Sequence, residues 1–376
     1  MTWLKNKTFA IVSLVLPAVI IIVAIGFLVL RYNKTGRPLT HSEIAGPPNL
    51  KANANSLTRT LITPHLEHEI QADKNLLWCA TAQVAWNELC NLIGEDVHLE
   101  NEPEMVSILN KKTVTAADLD EASYIAMAGT IDQDIFGKIQ TALEKKFKGQ
   151  ASPELVPLPS SDLLWVAYSY LFKALPFEWA FERLKSPLSF QGVKVECFGI
   201  EQFLTSQKNE VKAASQVLIY DYKSEDDFVI ELKTRSKTDR LILAKVPPET
   251  TLAQTIATVQ KRVANSNPEK MQVCSSLMVP VLNFELMREY NELYNKPILS
   301  KNQLFNGSII ILAKQHIRFK LDETGAVLKS EALFAAGIGG DLLFNKPFLI
   351  MIQRTDTLAP YFALWVANDE LLVKAQ

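Results

Sequence analysis

The sequence predicts an α+β fold preceded by one transmembrane helix, and three features carry that prediction. An uncharged apolar run lies near the N-terminus, helical periodicity concentrates in the first half, and strand-like runs dominate the second half. Helices and strands segregated in this way point to large sheets rather than to alternating βαβ units.

Phe9 to Leu30 reads FAIVSLVLPAVIIIVAIGFLVL, 22 residues without a charge. About 20 apolar residues are needed to cross the hydrocarbon core. Pro17 lies inside the run, where a spanning helix tolerates it because neighbouring groups re-satisfy the freed carbonyl. A cleaved signal would have a shorter apolar region, of about 7–15 residues, ending at small residues. Here Arg31, Tyr32, Asn33 and Lys34 follow instead. Residues 1–30 are therefore read as a short tail and a membrane anchor, with the lipid bilayer as partner of residues 9–30. The basic flanks, Lys5 and Lys7 against Arg31, Lys34 and Arg37, do not decide orientation by themselves.

Residues 31–56 are polar and rich in Pro, Gly and Asn, which predicts a juxtamembrane linker. The folded part is expected over 57–376. Leu76–Leu92 carries Trp78, Ala82, Ala85, Trp86 and Leu89 on one stripe and predicts a buried helix entered from a short strand. Residues 94–116 read as a loop with a weak helix, and Ala122–Ala128 as a strand. Ile135, Ile139, Leu143 and Phe147 recur four apart, predicting an amphipathic helix over Ile131–Phe147. Leu163–Phe172 suits a strand buried on both faces. Further strands are expected at Val193–Phe198, Ala214–Tyr220, Phe228–Lys233, Leu241–Val246, Met278–Phe284, Ser308–Leu312, Ile317–Leu321, Phe348–Gln353 and Tyr361–Val366. Thr250–Val263 is expected to be a helix.

Several strings, in one order over much of the chain, resemble the serpin family. Leu343-Phe-Asn-Lys-Pro-Phe-Leu-Ile-Met-Ile-Gln-Arg354 followed by Tyr361-Phe-Ala-Leu-Trp-Val-Ala-Asn368 is similar to the serpin C-terminal hairpin. Phe319-Lys-Leu-Asp-Glu-Thr-Gly325 resembles the hinge at which a central strand passes into the reactive loop. Tyr220-Asp-Tyr-Lys223, Val279-Pro-Val-Leu-Asn-Phe-Glu285, Ala167–Lys173 and Asn75–Gly94 fall where that family has strands and its first buried helix. The resemblance implies a large central, mostly antiparallel sheet, a barrel-like second sheet and early helices. It also implies a hinge at Glu323, Thr324, Gly325, Ala326 and Leu328, and an exposed loop at Leu333, Phe334, Ala335, Ala336, Gly337 and Ile338. A protease or another protein is the implied partner at the loop. Resemblance to a mostly secreted family further implies an N-terminus inside and a body outside the cytoplasm.

Inhibitory serpins trap a protease by inserting the cut loop as a new strand, and this chain departs from what that requires. Thr324–Leu343 is several residues shorter than the loop of inhibitory members, leaving about ten residues for insertion. A loss of that order removes about 20 Å of strand. Leu328 stands where a small inward-facing residue is expected, at a cost of about 1–3 kcal/mol in a packed sheet. Cys79, Ala80, Thr81 and Ala82 replace the family's serines and proline, and Tyr168 and Gln315 replace its asparagine and histidine. Pro153–Leu163 leaves no room for the helix that crosses the main sheet. These departures predict a non-inhibitory protein-binding module. The alternatives are a protease inhibitor cleaved within Leu333–Ile338 and an unrelated membrane-tethered α+β protein.

Other chemistry finds little support. A net charge of −2 offers no basic excess for nucleic acid. Cys79, Cys90, Cys197 and Cys274 are scattered and lack C-x-x-C spacing, so they read as buried thiols. His65 and His68 lie three apart beside acids but have no third ligand cluster in the sequence. Gly337-Ile-Gly-Gly340 does not link a strand to a helix and reads as a loop tip rather than a phosphate cradle. Glu225, Asp226 and Asp227 read as a solvated turn. No cofactor, metal or enzymatic activity is expected.

Overall fold

The computed structural model describes residues 47–147, 161, 163–202, 208–272, 275–324 and 340–375. The predicted anchor Phe9–Leu30, the hinge residues Gly325, Ala326 and Leu328, and the loop residues Leu333–Ile338 lie outside them. Among the described residues no helix is long and apolar enough to cross a membrane.

The chain enters through β1 (Leu50–Asn53), β2 (Thr60–Thr63) and β3 (Asn75–Cys79), then α1 (Thr81–Ile93). β4 (His98–Leu99), α2 (Glu104–Leu109), β5 (Tyr124–Thr130), α3 (Ile135–Phe147) and β6 (Leu164–Ala174) follow. Four short strands come next: β7 (Glu182–Arg183), β8 (Leu188–Phe190), β9 (Val193–Val195) and β10 (Cys197–Ile200). After α4 (Lys208–Ser215) run β11 (Val217–Ser224), β12 (Asp227–Leu232) and β13 (Asp239–Lys245). α5 (Leu252–Ala264), β14 (Glu269–Lys270), β15 (Leu277–Pro280), β16 (Leu282–Glu289) and β17 (Ile298–Leu299) lead to the long β18 (Ile309–Leu321). β19 (Leu342–Leu343), β20 (Phe348–Arg354) and β21 (Pro360–Val366) close the fold.

Local chemistry explains the main elements. α1 buries Val84, Ala85, Trp86, Leu89, Cys90 and Ile93 and stops at Gly94, whose φ of 86° lets its N–H bond back to the Cys90 carbonyl. α5 begins at a capping box in which Thr251 and Gln254 each accept from the other's backbone N–H. β20 and β21 are apolar and buried on both faces, as strands inside a stack must be.

Three sheets organise the molecule. A five-stranded main sheet has the order β1-β16-β18-β6-β5, an eight-stranded sheet the order β14-β11-β12-β13-β20-β21-β3-β2, and a four-stranded sheet the order β19-β15-β10-β7. The inner face of the main sheet packs on the eight-stranded sheet through Phe284, Phe319 and Leu171, with Phe319 stacked 4.6 Å from Phe362. On the outer face Ile135, Ile139, Leu143 and Phe147 of α3 cover Val166, Tyr168, Tyr170 and Phe172 of β6.

Several expectations need correction. The main sheet is mixed rather than mostly antiparallel, because β1/β16 and β18/β6 are parallel pairs. The eight-stranded sheet is the antiparallel one, apart from β2/β3. The expected linker 31–56 gives way to structure before its end, since Leu50–Asn53 pairs with Phe284–Met287. Ser308–Leu312 and Ile317–Leu321 belong to one strand, and α4 takes Lys208–Ser215 ahead of β11. α3, upstream of Pro153, packs across the outer face of β6.

Candidate functional site

β18 and β6 run side by side in parallel over eleven paired positions, from Ile309 opposite Leu164 to Lys320 opposite Ala174. Their outer neighbours, β16 and β5, are antiparallel to them. This seam lies over the start of α1. There the buried Gln315 amide donates to the Cys79 carbonyl at 3.0 Å and to Thr81 Oγ1 at 2.9 Å, and its oxygen accepts from the Tyr290 hydroxyl at 2.7 Å. Burial pushes the Tyr290 hydroxyl well above its ordinary pKa, so it stays a donor. Cys79, Thr81, Tyr290 and Gln315 thus build one hydrogen-bonded tie between β18 and the start of α1. Sequence reasoning noted the missing family residues and overlooked this replacement. Tyr168 takes no part in it, since its ring lies on the outer face under α3.

At the C-terminal end of β18 the described residues of the expected hinge, Glu323 and Thr324, are held largely by charge. Glu323 Oε2 accepts from Arg183 Nε at 2.6 Å, and the Glu323 carbonyl accepts from the Phe181 N–H at 3.2 Å. Arg183 also reaches Glu196 at 2.5 Å and Asp322 at 3.8 Å. Asp322 accepts from Lys320 at 2.8 Å and from the Thr324 hydroxyl and backbone N–H. Burial alone would raise the Asp322 carboxyl, but the Lys320 and Thr324 hydrogen bonds outweigh it and hold the group below its usual range. Arg183 lies 140 residues from Glu323 in sequence, so no local pattern announces it.

Where the chain returns, at Gly340, it enters a different setting. Asp341 caps the Ser276 backbone N–H and hydroxyl, and β19 pairs with β15. Leu342 and Phe344 are fully buried, and Phe344 packs 5.1 Å from Phe228 and 4.9 Å from Phe348. The buried Lys245 ammonium donates to the carbonyls of Leu343 and Glu225 and to Asn345 Oδ1. Asp226, from the acidic turn between β11 and β12, pairs with Lys245 at 2.9 Å and with Lys346 at 2.5 Å, so that turn also fastens the returning chain. A Cβ on Gly340 would come within 2.2 Å of the Tyr222 hydroxyl, so a larger residue there would have to displace that ring.

Burial shapes the other candidates among the described residues. His65 and His68 lie with ring centroids 6.0 Å apart, and burial lowers both pKa values. Among the described residues no group of three or more metal-ligating side chains gathers. Cys79, Cys90 and Cys197 are buried free thiols, and burial pushes Cys79 up to about 11, far from a reactive thiolate.

Parallel central strands, a C-terminal hairpin of β20 and β21, and an early strand β3 beside β21 together define a serpin-like α+β fold. No family model matches the chain, and no curated protein matches it. Solved serpin structures are similar to it at low identity. Serpin48 of the insect Tenebrio molitor is 12% identical, covering 80% of this chain and 92% of that one, with a TM-score of 0.43. A tumour suppressing serpin is 11% identical, with coverages of 78% and 92% and a TM-score of 0.46. SRPN18 of Anopheles gambiae is 10% identical, with coverages of 78% and 92% and a TM-score of 0.48.

Proposed function

We propose that the chain is a membrane-anchored, serpin-like module that binds another protein at its hinge-bearing end without completing strand insertion. It acts as a binder and not as a catalyst. The observation that carries this is length. Fifteen residues separate Thr324 from Gly340. The hinge is pinned at β7, and β19 lies three strand spacings away in the four-stranded sheet. Those spacings amount to about 14 Å and take up about four or five residues. About ten remain for a seam of eleven paired positions, and Leu328 would have to enter the packed sheet among them.

The test is to mix residues 47–376 with a panel of serine and cysteine proteases. The expected result is cleavage between 325 and 339 with no covalent adduct and no gain in melting temperature. A detergent-resistant adduct would overturn it in favour of an inhibitor. One observation speaks for that second reading. A strand inserted between parallel β18 and β6 would be antiparallel to both, exchanging one parallel pairing for two of the slightly more stable kind.

A further inference from the structure

β16 has the form of an edge that would recruit another strand, and the N-terminal segment closes it. β16 runs for eight residues, pairs with β18 from Leu282–Leu321 to Glu289–Lys314 without a bulge, and buries Leu282, Phe284 and Leu286. A long, regular edge with apolar residues at alternate positions is a template for pairing with another chain. β1 covers it in parallel register, with Leu50 opposite Phe284 and Asn53 opposite Met287. β1 itself has the features that blunt an edge. It is four residues long, follows Pro47 and Pro48, and carries the exposed Lys51, which pairs with Glu285 at 3.1 Å. The opposite edge of the sheet carries a lysine too: Lys146 donates to the carbonyls of Glu121 and Tyr124, at 2.6 and 3.0 Å, where β5 begins.

The closure extends past both ends of β1. The Asn49 N–H donates to the Asn283 carbonyl at 2.9 Å, and the Asn283 amide donates to the Pro47 carbonyl at 3.0 Å. At the far end the Asn55 amide donates to the Glu289 carbonyl and its oxygen accepts from the Glu289 N–H, both at 3.1 Å. Backbone groups along a strand alternate in direction, so Glu285 and Met287 point to the same side as Asn283 and Glu289. The outward-directed residues of β16 therefore all face residues 47–56. Asn55 completes with its side chain what the short ladder of β1 does not reach.

We infer that residues 47–56 are an edge guard, and that the strand they exclude is β16 of a second copy of this chain. The inference depends neither on the membrane anchor nor on the reading of the loop. β16 is complementary to itself. Turned antiparallel about a two-fold axis at Leu286, it sets Asn283 of one copy opposite Glu289 of the other, and Glu285 opposite Met287. These are the outward-directed residues, so their backbone groups meet and the pairing is closed by symmetry. Arg288 falls opposite Phe284, so no like charges among Glu285, Arg288 and Glu289 stand directly across from one another. Among the described residues α3 lies over β6, beyond the seam, and leaves the outer face at this edge clear.

The experiment follows association of the full chain in a non-ionic detergent by sedimentation velocity. Lys51→Pro removes a β1 donor aimed at β16, since Lys51 lies two residues from Asn49 and shares its direction. It is expected to raise the dimer association constant at least about tenfold over wild type. The Glu285 and Met287 amides should then exchange rapidly in the monomer and slowly in the dimer. Lys51→Ala keeps the donor and should associate as wild type does. An excess of the peptide 47–56 should reseal the edge and return Lys51→Pro to the monomer. Protected β20 amides report an intact fold. If Lys51→Pro loses that protection, Asn55→Ala decides instead: it opens only the Glu289 end and should strengthen association about threefold. A monomeric Lys51→Pro with rapidly exchanging Glu285 and Met287 amides overturns the guard. So does a dimer in which those amides stay rapid, or one that the peptide does not dissociate. Equal association of Lys51→Ala and Lys51→Pro would assign the effect to the ammonium and overturn it as well.

Discussion

Upstream of residue 325 the chain is held by charged groups at a partly exposed pole; downstream of residue 339 it is held by apolar burial around one enclosed ammonium. Arg183 keeps about a third of its side chain in water, whereas Lys245 is almost wholly enclosed and Phe344 completely so. Exposed ion pairs contribute about 0–1 kcal/mol each because water screens them. Removing a buried aromatic ring, or the cation from an enclosed hydrogen-bonded cluster, costs several times more. The two ends would therefore release at very different cost. Of the two, the upstream end is the cheaper to release.

Substitutions at the two ends should separate these contributions. Phe344→Ala should be the most damaging, lowering unfolding free energy by about 4 kcal/mol in denaturant titration, since it leaves a cavity between Phe228 and Phe348. Lys245→Met should cost about 3 kcal/mol by the same measurement, because the carbonyls of Leu343 and Glu225 and the Asn345 amide oxygen lose their donor. Arg183→Ala should change global stability by less than about 1 kcal/mol, while hydrogen exchange at the Phe181 amide, which donates to Glu323, becomes faster. If Arg183→Ala destabilised the protein as much as Lys245→Met, the contrast between the ends would be lost.

Acid should give the smallest effect, again at the upstream end. The folded value of Asp322 lies below that of an ordinary carboxyl. Its contribution is therefore complete above about pH 4 and disappears as the pH falls through the depressed folded value. Protection of the Phe181 amide should fall in that acidic window and be flat above it. A loss of protection that begins near neutrality would point to a group other than Asp322.

How far the sequence revealed this arrangement depended on the range of the interactions involved. The C-terminal strands, α1, α3 and α5 were legible because their apolar residues repeat with the period of the element they form. So were the end of a central strand near Leu321 and the burial of Phe344, since both sit in short recognisable strings. Arg183 was not, because a two-residue strand gives no periodic signal and its partner is remote in sequence. β1 was missed for a related reason. Leu-Lys-Ala-Asn is polar at alternate positions, follows Pro and Gly, and becomes a strand only because β16 offers it an open edge. Gln315 was seen as a departure, and only the structure supplies Tyr290 as its partner across 25 residues.

That edge strand has a mechanical consequence. Tension applied along β1 from residue 47 loads the backbone bonds of the β1/β16 pair together, in shear. The same ladder pulled sideways would be peeled one bond at a time. The clasps at Asn283 and Asn55 stand at the two places where peeling would have to begin. Deeper in the sheet, Gln315 plays the part of a rivet through a lap joint, joining the plate of β1, β16 and β18 to the α1 support beneath β5 and β6. A body fastened in this way can be towed by its N-terminal side without the pull reaching the seam as an opening force.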